Sequence, residues 1–224
     1  MNKKNLLVSA VTKFLCGVVL LGAVLFLPAG SFAYPNAWLF LALLFLPMLV
    51  MGVVLFLKAP ELLAKRLNSK EKEKTQAGVV ALSGLMFVGA FVSAGLDFRF
   101  GWTNVPEWLV ILAAVIQLAA YAMYAEVMRE NAYLSRTVEV QENQRVVDTG
   151  LYGVIRHPMY TATIFLYLSM ALVLGSWISF GIMLIYPVLI VLRIGNEEKV
   201  LEEGLAGYKE YKQKVKYRLI PFIW

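Results

Sequence analysis

The chain has 224 residues, of which 60% are hydrophobic and only 16% are charged. Soluble domains are about 45–50% apolar and about 25% charged, so this chain has too few charged groups to cover a soluble surface. Its apolar content excludes a disordered protein. The single cysteine, Cys16, excludes a disulfide scaffold. Composition therefore favours a polytopic membrane protein.

Apolar runs of about 20 residues, the length that crosses a bilayer as a helix, predict four spans. They cover 6–27, 36–57, 77–96 and 108–128. Residues 158–192 follow as a stretch of 35 residues without a charge. One straight helix of that length would reach about 52 Å, well beyond a hydrocarbon core of about 30 Å. Because Gly175-Ser176-Trp177 at its middle suits a turn, the stretch predicts a tight hairpin of two short helices.

The basic residues are concentrated in four segments. Nineteen of the 21 lysines and arginines lie in residues 1–5, 58–76, 129–157 and 193–224. With six crossings all four segments fall on one side, and the positive-inside rule puts both termini in the cytoplasm. The net charge of +6 is thus explained by topology, and no nucleic-acid partner is expected. A cleavable signal peptide ending near residue 33 stays open as an alternative for the N-terminus, and it would leave this sidedness unchanged.

We expect an all-α fold with four spanning helices plus a short helical hairpin. In this organisation residues 1–128 form N-terminal transmembrane helices and residues 129–224 form the catalytic region. The polar segments on either side of the hairpin become neighbours, because the hairpin returns the chain to the same face. Gln117 and Glu126 lie at membrane depth and are functional candidates. Glu126 is close enough to the end of its span to reach water, which favours a structural role.

The hairpin opens with Arg156-His157-Pro158. Proline suits the first helical position, which makes His157 the N-cap residue. The positive end of this helix could bind an anion, although a histidine that simply caps a helix at the membrane surface remains an alternative. His157 is the only histidine, so a multi-histidine metal site is excluded. Upstream, Gly150 and Gly153 suggest a tight turn.

Arg193 and Glu197 lie four residues apart and share one face of a helix. An exposed ion pair is the simpler interpretation of that spacing, and a binding site is the alternative. Apolar residues then recur at helical spacing, namely Leu201, Leu205, Tyr208 and Val215. This stripe predicts a cytoplasmic amphipathic C-terminal helix. We interpret Tyr208 and Tyr211 as anchors at the membrane interface.

Two halves of one motif flank the hairpin. The first reads Val146-Val147-x-x-Gly150-Leu151-Tyr152-x-x-x-Arg156-His157-Pro158-Met159-Tyr160. The second reads Arg193-x-x-x-Glu197-Glu198-x-x-Leu201, then Gly207-Tyr208-x-x-Tyr211-x-x-x-Val215, then Pro221. Together they resemble the signature of the isoprenylcysteine carboxyl methyltransferase family, which is related to the phospholipid methyltransferases, over about residues 130–224. Gln144 stands where that family often has histidine.

The resemblance implies an integral-membrane enzyme that uses S-adenosyl-L-methionine without a Rossmann domain. Its substrate would be the carboxylate of a prenylated or lipidic molecule, with membrane lipids as the surroundings. The resemblance marks these cofactor contacts: Gln144, Arg145, Val146, Val147, Tyr152, His157, Pro158, Met159, Tyr160 and Glu197. It marks Arg193 as the substrate-binding residue, and Arg193 and Glu197 as the catalytic pair. It implies no metal.

Three alternatives stay open. A phospholipid headgroup N-methyltransferase would act on an amine, which needs a proton acceptor. An NADPH-dependent sterol or enone reductase carries a similar motif, but typically with asparagine where Met159 stands. A non-enzymatic transporter or scaffold is also possible, although the chain lacks paired ionisable residues at the membrane midplane.

Overall fold

The computed structural model describes residues 3–67, 74–134 and 140–224. Within these ranges the chain is helical and contains no β-strand. The helices are α1 (Lys3–Ala29), α2 (Pro35–Lys58), α3 (Pro60–Leu67), α4 (Lys74–Phe100), α5 (Glu107–Glu130), α6 (Pro158–Val173), α7 (Trp177–Met183), α8 (Ile185–Gly204) and α9 (Tyr208–Lys214), with a short 3-10 helix at Gly150–Gly153. The all-helical class predicted from the sequence is confirmed.

Five helical segments are long and apolar enough to cross a membrane. They are Lys3–Ala29, Pro35–Lys58, Gly78–Phe100, Glu107–Glu130 and Trp177–Gly204. Three of the four predicted spans lie inside these segments, and the fourth, 77–96, lies inside Gly78–Phe100 except for its first residue. Helix α6 is also apolar but has only 16 residues, or about 24 Å. Large side chains such as Leu20, 66% exposed, and Leu27, 77% exposed, face outward, as expected where lipid replaces water. The protein is therefore an integral membrane protein.

The predicted hairpin is present, and other helices hold its turn. Gly175 has φ = +79°, a conformation that glycine adopts without steric cost. The Tyr34 hydroxyl donates to the Leu174 carbonyl oxygen at 2.5 Å. The Ser176 hydroxyl donates to the buried carboxylate of Asp97 at 2.5 Å. Residues near one end of α2 and α4 thus fix the point at which the hairpin reverses.

The second half of the hairpin is longer than the sequence predicted. We expected a short helix ending near residue 192 and a separate amphipathic helix from 193 onward. Instead α8 continues without a break to Gly204, because charged residues such as Arg193 are compatible with a helix. The chain turns at Gly207, where φ is +85°, and α9 then adds only seven residues. The prediction of a single C-terminal amphipathic helix was therefore wrong.

The core lies where α1, α2, α4, α5 and α6 pack together. Phe40 and Leu25 are fully buried there. Helices α1 and α4 pack tightly at Gly95, where an added Cβ atom would lie 2.6 Å from the Leu25 carbonyl oxygen. A small residue at a helix crossing lets two backbones come close in a membrane. This packing places α6 and α8 beside each other and supports the polar region at their ends.

Candidate active site

A pocket lies among the end of α5, the segment before α6, helix α8 and helix α9. The lining residues are Asn131, Tyr133, Leu134, Gln144, Arg145, Val146, Val147, Tyr152, Arg156, His157, Met159, Tyr160, Arg193, Glu197, Leu201, Leu205, Tyr208 and Tyr211. They include ten of the eleven residues that the resemblance marks. The exception is Pro158, which is buried at the first turn of α6 and does not line the pocket. The two halves of the motif therefore meet in one place.

The Tyr160 hydroxyl connects the two residues marked as catalytic. Arg193 donates from Nε to the Tyr160 oxygen at 2.8 Å, and the Tyr160 hydroxyl donates to the Glu197 carboxylate. Tyr160 is itself 4% exposed. Its fixed ring therefore limits the positions that the guanidinium and the carboxylate can adopt. The i,i+4 spacing of Arg193 and Glu197 thus brings both side chains to the Tyr160 hydroxyl.

A buried ionic network lies behind the pocket and centres on Glu198, which is 2% exposed. Arg156 donates from Nε to Glu198 Oε1 at 2.7 Å. His157 Nε2 lies 3.2 Å from the same oxygen. Arg218 Nη2 lies 3.0 Å from Glu198 Oε2. Buried charges need partners of this kind, because each would otherwise lose its hydration without compensation.

The network also holds the C-terminal segment against the start of α6. Arg156 donates from Nη1 to the carbonyl oxygens of Val215 at 2.8 Å and Lys216 at 2.7 Å. The backbone N–H groups of Arg156 and His157 donate to the carbonyl oxygens of residues 217 and 218. His157 occupies the predicted N-cap position, but its side chain makes no capping hydrogen bond to α6 and faces Glu198 instead. The tail is thereby fastened to Arg156 and His157, two residues that line the pocket.

The turn before α6 is stabilised by Glu130, a residue that the sequence analysis did not select. The Leu151 backbone N–H donates to Glu130 Oε2 at 3.1 Å, which satisfies a donor at the start of the 3-10 helix. Gly150 has φ = +51°, and a Cβ atom there would overlap the Glu130 carboxylate. The tight turn predicted from Gly150 and Gly153 is thus confirmed, and its cause is the close approach of α5.

Gln144 lines the pocket from a tight turn. Its side-chain oxygen accepts a hydrogen bond from the Gln141 backbone N–H at 2.8 Å. The Tyr133 hydroxyl donates to the Asn143 carbonyl oxygen at 3.0 Å. Part of the hydrogen-bonding capacity of Gln144 is therefore used to shape its own loop. Its polar atoms stand where the related family often has a histidine.

The interpretation of Tyr208 and Tyr211 as interfacial anchors was wrong. Their side chains are 4% and 6% exposed, and both line the pocket. The turn at Gly207 redirects α9 toward the segment before α6, so the apolar stripe packs on Val146 rather than on lipid. Burial raises the pKa of both phenols well above the usual value. Both therefore stay protonated at neutral pH.

The two polar residues at membrane depth lie away from this pocket. Gln117 is fully buried in α5, and neither polar atom of its side chain has a hydrogen-bond partner among the described residues. Glu126 pairs with Arg129, its Oε2 accepting from Nε at 2.8 Å. Because both charged groups are substantially exposed, this is a surface pair of small energetic value. It agrees with the structural role favoured for Glu126.

Comparison with known protein families adds a further finding. Residues 107–206 match the sequence model of the phospholipid methyltransferase family. The match begins at the start of α5, upstream of the motif resemblance noted from residue 130, and it includes both Arg193 and Glu197. The isoprenylcysteine carboxyl methyltransferases are a related group. Residues 107–206, which contain most of the residues of the pocket, are therefore similar to the phospholipid methyltransferase family, a family of membrane methyltransferases.

Proposed function

We propose that this protein uses S-adenosyl-L-methionine to methylate the carboxylate of a prenylated or lipidic substrate. The observation that carries the proposal is that Arg193, which lines the pocket, is oriented by the buried Tyr160 hydroxyl at 2.8 Å. A guanidinium can bind a carboxylate through two parallel hydrogen bonds. Arg193 supplies that group on α8, the helix that also forms the second half of the hairpin and exposes the apolar side chains of Val188 and Leu192.

The residues of the pocket fit the cofactor. Glu197 provides a carboxylate that can accept hydrogen bonds from an ammonium or from ribose hydroxyls. The aromatic rings of Tyr152 and Tyr211 line the same space and suit a flat heterocycle. The Tyr208 hydroxyl is buried there, with no hydrogen-bond partner among the described residues. This mixture of an acid, aromatic rings and a spare hydroxyl matches the varied polarity of the cofactor.

The chemistry requires positioning more than proton transfer. When bound, S-adenosyl-L-methionine supplies a sulfonium methyl group, whose bond to sulfur breaks with both electrons left on sulfur as a substrate oxygen bonds the carbon. A substrate carboxylate is already ionised at neutral pH, so no general base is needed. Arg193 holds the carboxylate in place, and Tyr160 holds Arg193. Fixing two reactants in this way can lower a barrier by several kcal/mol.

N-methylation of a phospholipid headgroup is the second candidate, and the family match favours it. An amine nucleophile must lose a proton, and Glu197 is a carboxylate in the pocket able to accept it. Arg193 would then bind the phosphate of the same headgroup. In either case the proposal places the pocket on the cytoplasmic face, because the basic segments adjoin it.

Binding of labelled S-adenosyl-L-methionine to the detergent-purified protein tests the cofactor assignment. We expect saturable binding by the natural protein and loss of binding in the double variant Arg193→Ala, Glu197→Ala. The matched control is Glu126→Ala, Arg129→Ala, which removes the same charges from the surface of α5 and should bind normally. Absence of binding by the natural protein, or equal binding by both double variants, overturns the proposal.

A second assay separates the two substrates. The purified protein is given the labelled cofactor with either a farnesylated cysteine analogue or vesicles that contain phosphatidylethanolamine. Base-labile incorporation into the cysteine analogue, typical of a methyl ester, supports carboxylate methylation. Base-stable incorporation into the phospholipid supports the second candidate and overturns the first.

A further inference from the structure

The hydroxyl of Tyr208 is an unsatisfied polar group inside the pocket. The side chain is 4% exposed, and its oxygen is buried with no hydrogen-bond partner among the described residues. Leaving a buried hydroxyl unpaired costs about 1–3 kcal/mol. Two other described side chains, Gln117 and Ser179, also have unpaired buried polar atoms, but neither lines this pocket.

Packing alone does not explain why a tyrosine is present at this position. The ring contributes to a small apolar cluster that includes Leu205 and Val215, a role that phenylalanine would fill without burying a hydroxyl. Tyr211 provides the comparison, because it belongs to the same short helix and the same cluster. Its hydroxyl donates to the Tyr152 carbonyl oxygen at 2.8 Å. One tyrosine of α9 thus has its partner within the protein, and the other does not.

The surroundings indicate what the Tyr208 hydroxyl can do. Burial raises the pKa of Tyr208, and the nearby carboxylates of Glu198 and Glu197 raise it further. The phenol therefore keeps its proton and offers one O–H donor at neutral pH. Tyr208 lines the pocket. A ligand bound there can therefore supply the hydrogen-bond acceptor that the Tyr208 hydroxyl lacks within the described residues.

We infer that Tyr208 is a cofactor-binding residue whose hydroxyl donates a hydrogen bond to an acceptor oxygen or nitrogen of S-adenosyl-L-methionine. This inference rests on the proposed function and adds a contact that the motif resemblance does not mark. The turn at Gly207, with φ = +85°, is the local feature that directs α9 and its first residue toward the pocket. Tyr208 thereby adds a binding group from the C-terminal segment to those supplied by α8.

The test compares Tyr208→Phe with Tyr211→Phe, which removes a hydroxyl from the same helix. Two quantities are measured on each purified variant: the thermal unfolding midpoint without ligand, and the equilibrium Kd for S-adenosylhomocysteine. For Tyr208→Phe we expect an unchanged or higher midpoint together with about 5- to 10-fold weaker binding, the usual effect of losing one hydrogen bond. For Tyr211→Phe we expect a lower midpoint, because an internal hydrogen bond is lost.

The outcomes distinguish this inference from the function on which it rests. If the natural protein binds S-adenosylhomocysteine and Tyr208→Phe binds within twofold of it, the inference is overturned and the proposed function stands. A midpoint for Tyr208→Phe as low as that of Tyr211→Phe also overturns it, because the hydroxyl would then have a partner without ligand. If the natural protein fails to bind, both the proposed function and this inference fail.

Discussion

The buried carboxylate of Glu198 provides the sharpest prediction for the stability of the site. Glu198→Gln keeps the side-chain volume but removes the negative charge that faces Arg156 and Arg218. The matched control is Glu202→Gln, on the same helix. Glu202 pairs with Lys212 at 2.5 Å, but its side chain is 31% exposed, whereas that of Glu198 is 3% exposed.

The expected magnitudes follow from this difference in burial. Removing one partner of a buried ion pair costs about 3–5 kcal/mol, because the other charge is left without compensation. A surface pair contributes about 0–1 kcal/mol. For a chain of this size, 1 kcal/mol corresponds to about 2–4 °C in Tm. We therefore expect a decrease of at least about 6 °C for Glu198→Gln and of less than about 4 °C for Glu202→Gln.

Thermal unfolding of both variants in the same detergent, followed by intrinsic fluorescence, measures this difference. Because the network also fastens the C-terminal segment, limited proteolysis should cleave Glu198→Gln faster than the control near residues 215–218. Equal decreases in Tm for the two variants would refute the reasoning. That result would mean that the charges of the network contribute no more than an exposed pair does.

Two further predictions concern helix packing and alkaline pH. Gly95→Ala should destabilise the protein by about 1–3 kcal/mol through overpacking against α1, because the new Cβ would lie 2.6 Å from the Leu25 carbonyl oxygen. Gly89→Ala, whose Cβ meets no atom within 4 Å, should instead be neutral or stabilising by up to about 1 kcal/mol. A change of the same sign in the thermal unfolding midpoint of both variants would contradict this. Burial raises the pKa of Tyr152 to about 12, so the protonated form is favoured in the folded state. The stability linked to it is complete below the unfolded pKa of about 10 and is lost as pH rises through 12, by up to about 2.7 kcal/mol. The difference in stability between the natural protein and Tyr152→Phe should therefore shrink over this pH range, and a constant difference in denaturation midpoints between pH 9 and 12 would contradict the assignment.

Much of the fold could be predicted because its causes are local. An uncharged run long enough to cross a bilayer must satisfy its backbone internally, so it forms a helix whatever its neighbours are. The reversal at Gly175 was predictable for the same reason, since a charge-free stretch too long for one span needs a turn. The end of α8 was not predicted. Arg193 was assumed to begin a new element, whereas a change in polarity does not interrupt helical hydrogen bonding.

The candidate site was predicted in part. The two motif halves contained most of the pocket residues, but sequence spacing carried no information about Glu130, Glu198 or the orientation of Tyr208. Glu198 is buried because Arg156, distant in sequence, reaches it across the hairpin. Tyr208 points inward because the chain changes direction at Gly207. A helical stripe of apolar residues shows which face is covered, and it cannot show whether lipid or protein covers it.

The sequence by itself determined the helical class, the membrane location and the residue types available to the candidate site. These depend on composition and on short-range patterns that any packing would preserve. Only the tertiary structure decided which charges are paired and buried, which tyrosine hydroxyls are satisfied, and that the segments on either side of the hairpin form one pocket. Those properties depend on distances between residues far apart in the chain, and they exist only after α6 and α8 have packed side by side.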